Sequence, residues 1–271
     1  MAEPWKRKEV IGDCTLYLGD CLEVMGAIDP VDCILTDPPY SSGGAFRGDR
    51  AKSVATKYVQ TSSALTNRSD FSGDTRDQRA FLAWATIIFS RAFYITKPGG
   101  TCLVFTDWRQ LPTMTDAVQC GGFVWRNLIT WWKPGIRMQK GRFSSSAEYL
   151  VYGTKGSPAN GQKSPQNVLQ CAPVGGEDKE HIAEKPGSLL RDLLGVTPER
   201  STILDPFMGS GTTAAACVAT GRKFVGVELD PVHFETSCRR VEEAYRQPDL
   251  FVERPPKAHQ KALSFDGDVD G

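Results

Sequence analysis

Histidine is scarce in this chain: His181, His233 and His259 are the only three among 271 residues. None stands at metal-ligand spacing from a cysteine, and the eight cysteines, at 14, 21, 33, 102, 120, 171, 217 and 238, form no Cys-x-x-Cys pair. That composition excludes the usual zinc arrangements, and no metal is expected. Several cysteines fall inside apolar patterns and read as buried, reduced thiols of a cytoplasmic protein. There is no apolar run long enough to span a membrane. The basic patch Lys6-Arg7-Lys8 is not followed by an apolar segment of signal-peptide type. Net charge is also absent, with Lys+Arg equal to Asp+Glu at 32 each, so the overall balance names no partner. Internal repeats are lacking as well.

What is present is a regular alternation of strand and helix patterns. Val31–Thr36 is an apolar run of buried-strand type. Residues 77–96 place Phe81, Leu82, Trp84, Ala85, Ile88, Phe89 and Ala92 on roughly one helical face, and Lys97-Pro98-Gly99-Gly100 reads as a stop signal before a strand over 101–106. A helix over 110–121, strands over 123–132 and 148–152, a helix over 189–194, a strand at 202–204, a helix over 213–220, a strand over 223–227 and a final helix over 231–245 follow. This order predicts an α/β fold: a mostly parallel sheet with helices on both faces, and an antiparallel edge where two strands lack a helix between them. Hydrophobic content of 40% supplies a sizeable core, and the length fits one α/β domain over residues 1–246. Residues 41–76 and 155–180 lack periodicity and read as functional or mobile loops, and residues 247–271 read as a flexible tail.

Two motifs carry chemistry. Asp37-Pro38-Pro39-Tyr40 follows the strand at 31–36, and open α/β sheets bind ligands at the carboxyl ends of their strands. Two prolines stiffen the turn and leave its carbonyls as acceptors. A rigid edge with an anionic acceptor, a carbonyl and an aromatic ring suits a flat heterocycle bearing an exocyclic amino group; read alone, it suits a structural turn equally well. The second motif, Asp205-Pro206-Phe207-Met208-Gly209-Ser210-Gly211-Thr212-Thr213, runs from a strand through a glycine loop into a helix. The glycines let a ligand approach the backbone, and the helix start offers free N–H groups. No lysine follows the last glycine, so it is not a phosphate-binding P-loop, and the spacing departs from the dinucleotide fingerprint. Glu228, followed by Leu229, ends the next strand, where an acid suits ribose hydroxyls. A nucleoside carrying a carboxylate instead of phosphates fits both features, which points to S-adenosylmethionine.

The pair of motifs resembles the amino-methylating DNA methyltransferases, in the permuted order of the β-type enzymes, where the catalytic motif precedes the cofactor loop. The resemblance covers about residues 13–245. It implies a Rossmann-like methyltransferase fold and transfer of methyl from S-adenosylmethionine to an amino group of a base flipped out of duplex DNA. Asp37, Pro38, Pro39 and Tyr40 are then the catalytic residues: Asp37 and the Pro38 carbonyl grip the amino group and Tyr40 stacks on the base. The cofactor residues implied are Asp20, Cys21, Asp37, His181, Lys185, Asp205, Phe207, Gly209, Ser210, Gly211, Thr212, Thr213, Glu228 and Leu229. Asp rather than Ser at position 37 favours adenine N6; cytosine N4 is the alternative, and a catalytically silent nucleic-acid binder on the same fold is a rival from another class. Local clusters of cations suggest where DNA would lie: Arg47, Arg50 and Lys57 in the 41–76 loop, and Trp132, Lys133, Arg137, Lys140 and Arg142, where aromatics interleave with bases. Residues 133–180 are expected to carry target recognition, shared with the 41–76 loop. Of Trp131 and Trp132, neighbours on a strand, one is expected to be exposed. Resemblance also suggests a homodimer, in either a restriction–modification or an orphan setting.

Overall fold

A computed structural model describes residues 3–40, 76–135, 140–141, 143–158, 164–173 and 185–246. The chain opens with an antiparallel hairpin, β1 (Arg7–Ile11) and β2 (Cys14–Leu18), then a short helix α1 (Cys21–Val24) and the strand β3 (Val31–Thr36). After β3 come α2 (Gln78–Ile95), β4 (Thr96–Thr106), α3 (Leu111–Cys120), β5 (Val124–Trp132), β6 (Ala147–Thr154) and β7 (Val168–Gln170). The chain then continues through α4 (Gly187–Leu194), β8 (Thr202–Asp205), α5 (Thr212–Ala219), β9 (Lys223–Glu228) and α6 (Pro231–Arg246).

All nine strands described belong to one sheet, in the order β1-β2-β9-β8-β3-β4-β6-β5-β7. The run β2-β9-β8-β3-β4 is parallel, while β6 is antiparallel to both β4 and β5. The expected antiparallel element is therefore present, but β6 lies inside the sheet with strands on both sides. A second antiparallel pair, β1 with β2, closes the opposite edge.

Neighbouring residues on each central strand point to opposite faces. Leu35, Leu103, Leu150 and Ile203 pack into one core with Leu189, Leu190, Leu193, Leu194 and Phe234, so α4, α5 and α6 cover that face. Ile34, Val104, Val151 and Leu204 pack into the other with Phe81, Ile88, Phe89, Met114 and Val118, so α2 and α3 cover the second face. Burial on both sides explains why β3 is an uninterrupted apolar run rather than an alternating one. Asp77 starts α2 by accepting from Ala80 N at 2.8 Å, and Phe81, Ala85, Ile88, Phe89, Ala92 and Ile95 form its buried stripe.

The segment Lys97-Pro98-Gly99-Gly100 departs from expectation. The helix ends one residue before Thr96, which already pairs with Val31, and the next pair is Cys33 with Thr101. Between these pairs one residue of β3, Asp32, opposes four of β4, residues 97–100, and the Pro-Gly-Gly segment is a bulge in the strand. Gly99 N and Lys155 N close it, donating to Lys155 O and Gly100 O at 2.7 and 2.9 Å. No helix among the described residues is long and apolar enough to cross a membrane.

The chain leaves β8 toward β9 and leaves β3 toward β4, in opposite directions along the sheet. The carboxyl ends of β8 and β3 thus flank the point where the winding reverses, which is where open α/β sheets form a crevice.

Candidate active site

Both sequence motifs arrive at that crevice. Asp205 is the last residue of β8, and Asp37 follows the last residue of β3. Thr36 Oγ1 donates to Asp205 Oδ1 at 2.7 Å and Thr213 Oγ1, from α5, donates to Oδ2 at 2.8 Å. Phe207 N adds a third donor to Oδ1 at 3.1 Å. Burial pushes the Asp205 carboxyl up to about 7 against these three donors. Asp205 therefore ties the strand ends and the start of α5 into one unit.

The loop that follows is held by contacts to β9 and α6. Met208 N donates to Val227 O of β9, and Gly211 N to Met208 O, both at 3.0 Å. Gly209 and Gly211 have φ of +56° and +84°, a region that favours glycine. A Cβ on Gly211 would lie 2.8 Å from Ser237 Cβ of α6, so that glycine is a packing requirement. Among the described residues, a Cβ on Gly209 would meet nothing nearer than Phe207 O at 4.0 Å, which leaves that face of the loop room for a ligand. Arg240 of α6 donates to Ser210 Oγ at 3.1 Å and to Thr212 Oγ1 at 2.7 Å. The hydroxyls of Ser210, Thr212 and Thr213 are thus all engaged within the protein. Phe207 lies against Trp84 of α2, with ring centroids 5.5 Å apart, and the Arg76 guanidinium lies 4.4 Å from the Trp84 ring centre.

At the end of β9, Glu228 Oε2 accepts from Gly209 N at 2.8 Å, and Oε1 accepts from Leu229 N and Asp230 N at 2.9 and 2.8 Å. Burial raises the Glu228 carboxyl despite these backbone donors. Glu228 thus shapes the glycine loop as well as bordering the crevice, and a carboxylate's four lone-pair sites leave room for a hydroxyl donor. Gly19 N donates to Glu228 O at 2.9 Å, bringing the end of β2 beside it. Asp20 caps α1 there, accepting from Leu22 N at 2.8 Å, and Cys21 is buried with its thiol pushed up to about 12 by desolvation. Leu229 is half exposed.

In the other motif, Pro38 is buried, and Asp37, Pro39 and Tyr40 are partly so. Tyr40 Oη donates to Asp37 Oδ1, and Lys185 Nζ stands 2.7 Å from Asp37 Oδ2 and 3.4 Å from Tyr40 Oη. Lys185 also stands 3.2 Å from Glu148 Oε2, and Lys133 pairs with Glu148 Oε1. Burial raises the Asp37 carboxyl, opposed by Lys185 and Tyr40. Tyr40 is raised well above its ordinary value, first by burial, so its hydroxyl is a donor at neutral pH. Burial would push Glu148 up, but Lys185 and Lys133 together outweigh it and hold that carboxyl low.

Of the residues expected near DNA, Trp132 is exposed at 43%, at the end of β5, while its neighbour Trp131 is 2% exposed and donates from Nε1 to Cys171 O at 2.8 Å. Lys133 is turned inward, on Glu148 and 4.4 Å from the Trp131 ring centre, and is not displayed as a phosphate ligand. Lys140 is exposed. Arg47, Arg50, Lys57, Arg137, Arg142 and His181 lie outside the described residues. Part of the 133–180 stretch belongs to the sheet itself, as β6 and β7. Glu148, Thr36 and Arg240 contact the site's residues and were not expected from the sequence. For Glu148 a signal existed: it is a lone acid at the start of an apolar strand, one position from its first residue.

A family model described as DNA methylase, of the N6/N4 methyltransferase type, matches residues 31–239. The chain is 27% identical to the type II methyltransferase M2.MboI of Moraxella bovis, across 84% of this chain and 87% of that protein. It is 25% identical to the type II methyltransferase M.HinfI of Haemophilus influenzae, across 94% and 78%. Among solved structures, the M1.HpyAVI–SAM complex superposes with a TM-score of 0.61 at 23% identity, covering 84% of this chain and 98% of that one. The PvuII DNA methyltransferase, described as cytosine-N4-specific, does so with a TM-score of 0.64 at 18% identity, covering 89% and 95%. At such identities these two structures speak to the fold.

Proposed function

This chain belongs to the N6/N4 DNA methylase family, and from that premise we propose that it methylates the N6 amino group of adenine in duplex DNA, with S-adenosylmethionine as donor. The observation that supports this most is the bond from Thr36 to Asp205, which joins the strand ends carrying the amino-gripping motif and the glycine loop. S-adenosylmethionine, when bound, supplies a methyl group activated by its sulfonium. The residues present suit such a ligand: Gly209 offers an open backbone face, Asp20 and Glu228 border the crevice as acids for an adenosine, and Asp205 anchors the loop.

The chain's own part in the reaction is positioning and charge. A flipped adenine would stack on Tyr40 and direct its amino group at Asp37 and the Pro38 carbonyl. Each carboxylate oxygen of Asp37 has two lone pairs, of which Tyr40 and Lys185 take one apiece, so an amino hydrogen can still be accepted. Lys185 opposes the desolvation that raises the Asp37 carboxyl. As the amino nitrogen takes the methyl it becomes cationic and sheds one proton, and Asp37 is the acceptor on that side. Adenine is supported by Asp at position 37, where cytosine-N4 relatives of the resembled family more often carry Ser. Residues 133–180, outside the strands β6 and β7, together with the 41–76 loop would read the target, and a homodimer would widen that surface; light scattering of the DNA-bound protein checks the latter.

The test is transfer of labelled methyl from S-adenosylmethionine to unmethylated duplex DNA, RNA and protein, followed by mass spectrometry of the digested bases. N6-methyladenine in DNA is the expected product, and it disappears in Asp37→Ala while donor binding by calorimetry persists. N4-methylcytosine would overturn the choice of base, and label in RNA or protein alone would overturn the substrate.

A further inference from the structure

Four charged side chains from four separate parts of the chain form one line leading out from the catalytic motif. Asp37 follows β3, Lys185 precedes α4, Glu148 lies on β6 and Lys133 follows β5. Lys185 sits between two carboxylates, 2.7 Å from Asp37 and 3.2 Å from Glu148, and 5.0 Å from the Phe105 ring centre beneath it. Its side chain is 9% exposed, and those of Glu148 and Lys133 are 23% and 15% exposed. Burying four charges incurs a desolvation cost that packed apolar groups would avoid, so such a line is poor engineering for stability alone. At a reaction centre it has a use, because it sets the charge on a reacting group.

Without Glu148, Lys185 would pair with Asp37 alone. A full one-to-one pair would make Asp37 a weaker acceptor for the amino proton. Without Lys185, Asp37 would lose the cation that opposes its desolvation, and its carboxyl would be pushed further up. Glu148 draws part of Lys185's charge away and fixes its ammonium between two anions, and Lys133 balances Glu148 in turn. We propose that Glu148 is a positioning residue that divides the charge of Lys185 between itself and Asp37, so that Asp37 stays ionised yet remains basic enough to take the proton from the methylated amino nitrogen. The other groups bearing on this line are Tyr40, which donates to Asp37, Asp107 at the end of β4, which acts on Tyr40, and Asp205, which feels Asp37. This inference rests on the methyltransferase reading above.

The experiment compares Glu148→Gln and Lys133→Met with the wild type in two readouts: carbon-13 NMR titration of the Asp37 carboxyl, and the pH profile of single-turnover methyl transfer to duplex DNA. Glu148→Gln removes an anion near Asp37, so its titration and the acid limb of the profile move to lower pH, by about one unit. Its maximal rate falls roughly tenfold to hundredfold with KM for DNA little changed. Lys133→Met leaves Glu148 to compete harder for Lys185, so both readouts move to higher pH. Glu148→Asp restores much of the rate. Opposite shifts from two neutralising substitutions are not expected of a purely structural contact. An Asp37 titration unmoved in both variants overturns the inference whether or not the wild type labels DNA. A wild type that labels no DNA, with the shifts intact, overturns the methyltransferase reading instead. Should Glu148→Gln not fold, the upward shift in Lys133→Met carries the decision.

Discussion

Thr36 Oγ1 donates to Asp205 Oδ1 at 2.7 Å across 169 residues of sequence. Thr36 ends the strand that leads into Asp37-Pro38-Pro39-Tyr40, and Asp205 begins the glycine loop, so one hydrogen bond ties the proposed acceptor site to the proposed donor site. Thr36→Val keeps the shape and removes the donor, which leaves a buried carboxylate short of one partner. We expect a stability loss of about 1–2 kcal/mol, together with a larger loss in maximal methyl-transfer rate than in donor affinity. Thermal melts and single-turnover rates measure the two effects, and an unchanged rate would contradict the bridging role.

The two loop glycines separate packing from ligand access. Gly211→Ala puts a Cβ 2.8 Å from Ser237 Cβ at a φ of +84°. Strain and overlap together should cost about 2–4 kcal/mol of stability. Gly209→Ala faces open space, so its cost is the backbone strain of about 1 kcal/mol. It should nonetheless weaken S-adenosylmethionine binding at least about tenfold, since about 1.4 kcal/mol of lost contact does that. Melting curves and calorimetry on both variants check the contrast; equal donor affinity in wild type and Gly209→Ala would place the ligand elsewhere.

Much of this arrangement was legible in the residues because it is local. β3 has the bounds that its buried apolar run predicts, and Trp131 and Trp132 split into buried and exposed by the simple alternation of a strand. β1, with the sequence Arg-Lys-Glu-Val-Ile, carries no apolar signature because it is a largely exposed edge, and β7 is three residues long. The Pro-Gly-Gly segment misled because the same residues that end a helix also make a bulge. The partners of the site were hidden for a different reason. Glu148, Thr36 and Arg240 act through contacts that depend on the sheet order, which no spacing along the chain reveals.

Asp205 also makes stability depend on pH in a definite direction. Burial raises its carboxyl in the folded protein to about 7, above its ordinary value of 3.8. The folded state therefore favours the protonated form. The stabilisation from that preference is fully present below about pH 4 and is lost as pH rises toward about 7. Asp205→Asn lacks the titration. The stability of wild type relative to this variant, from urea unfolding, should be greater at about pH 5 than at about pH 8. A difference that grows with pH would mean that the three donors to Asp205 dominate its burial.

The adjacent tryptophans at the end of β5 give the most direct test of where DNA approaches. Trp131 is buried, bonded to Cys171 O, and covered by the Lys133 ammonium. Trp131→Ala should cost about 3–5 kcal/mol of stability, the range for removing a large buried aromatic, and should reduce activity in proportion to the unfolded fraction. Trp132 is 43% exposed and makes its contribution outside the core. Trp132→Ala should leave the melting temperature nearly unchanged and raise KM for duplex DNA several-fold, without altering donor affinity. If a base or sugar stacks on it, the lost contact is about 1–3 kcal/mol, which bounds the rise in KM. Steady-state kinetics at varied DNA and fixed, saturating donor read this out. An unchanged KM in a fully folded Trp132→Ala would move the DNA path off this end of β5, toward another exposed aromatic, Trp108, which follows β4 and whose ring centre lies 5.1 Å from the Arg109 guanidinium.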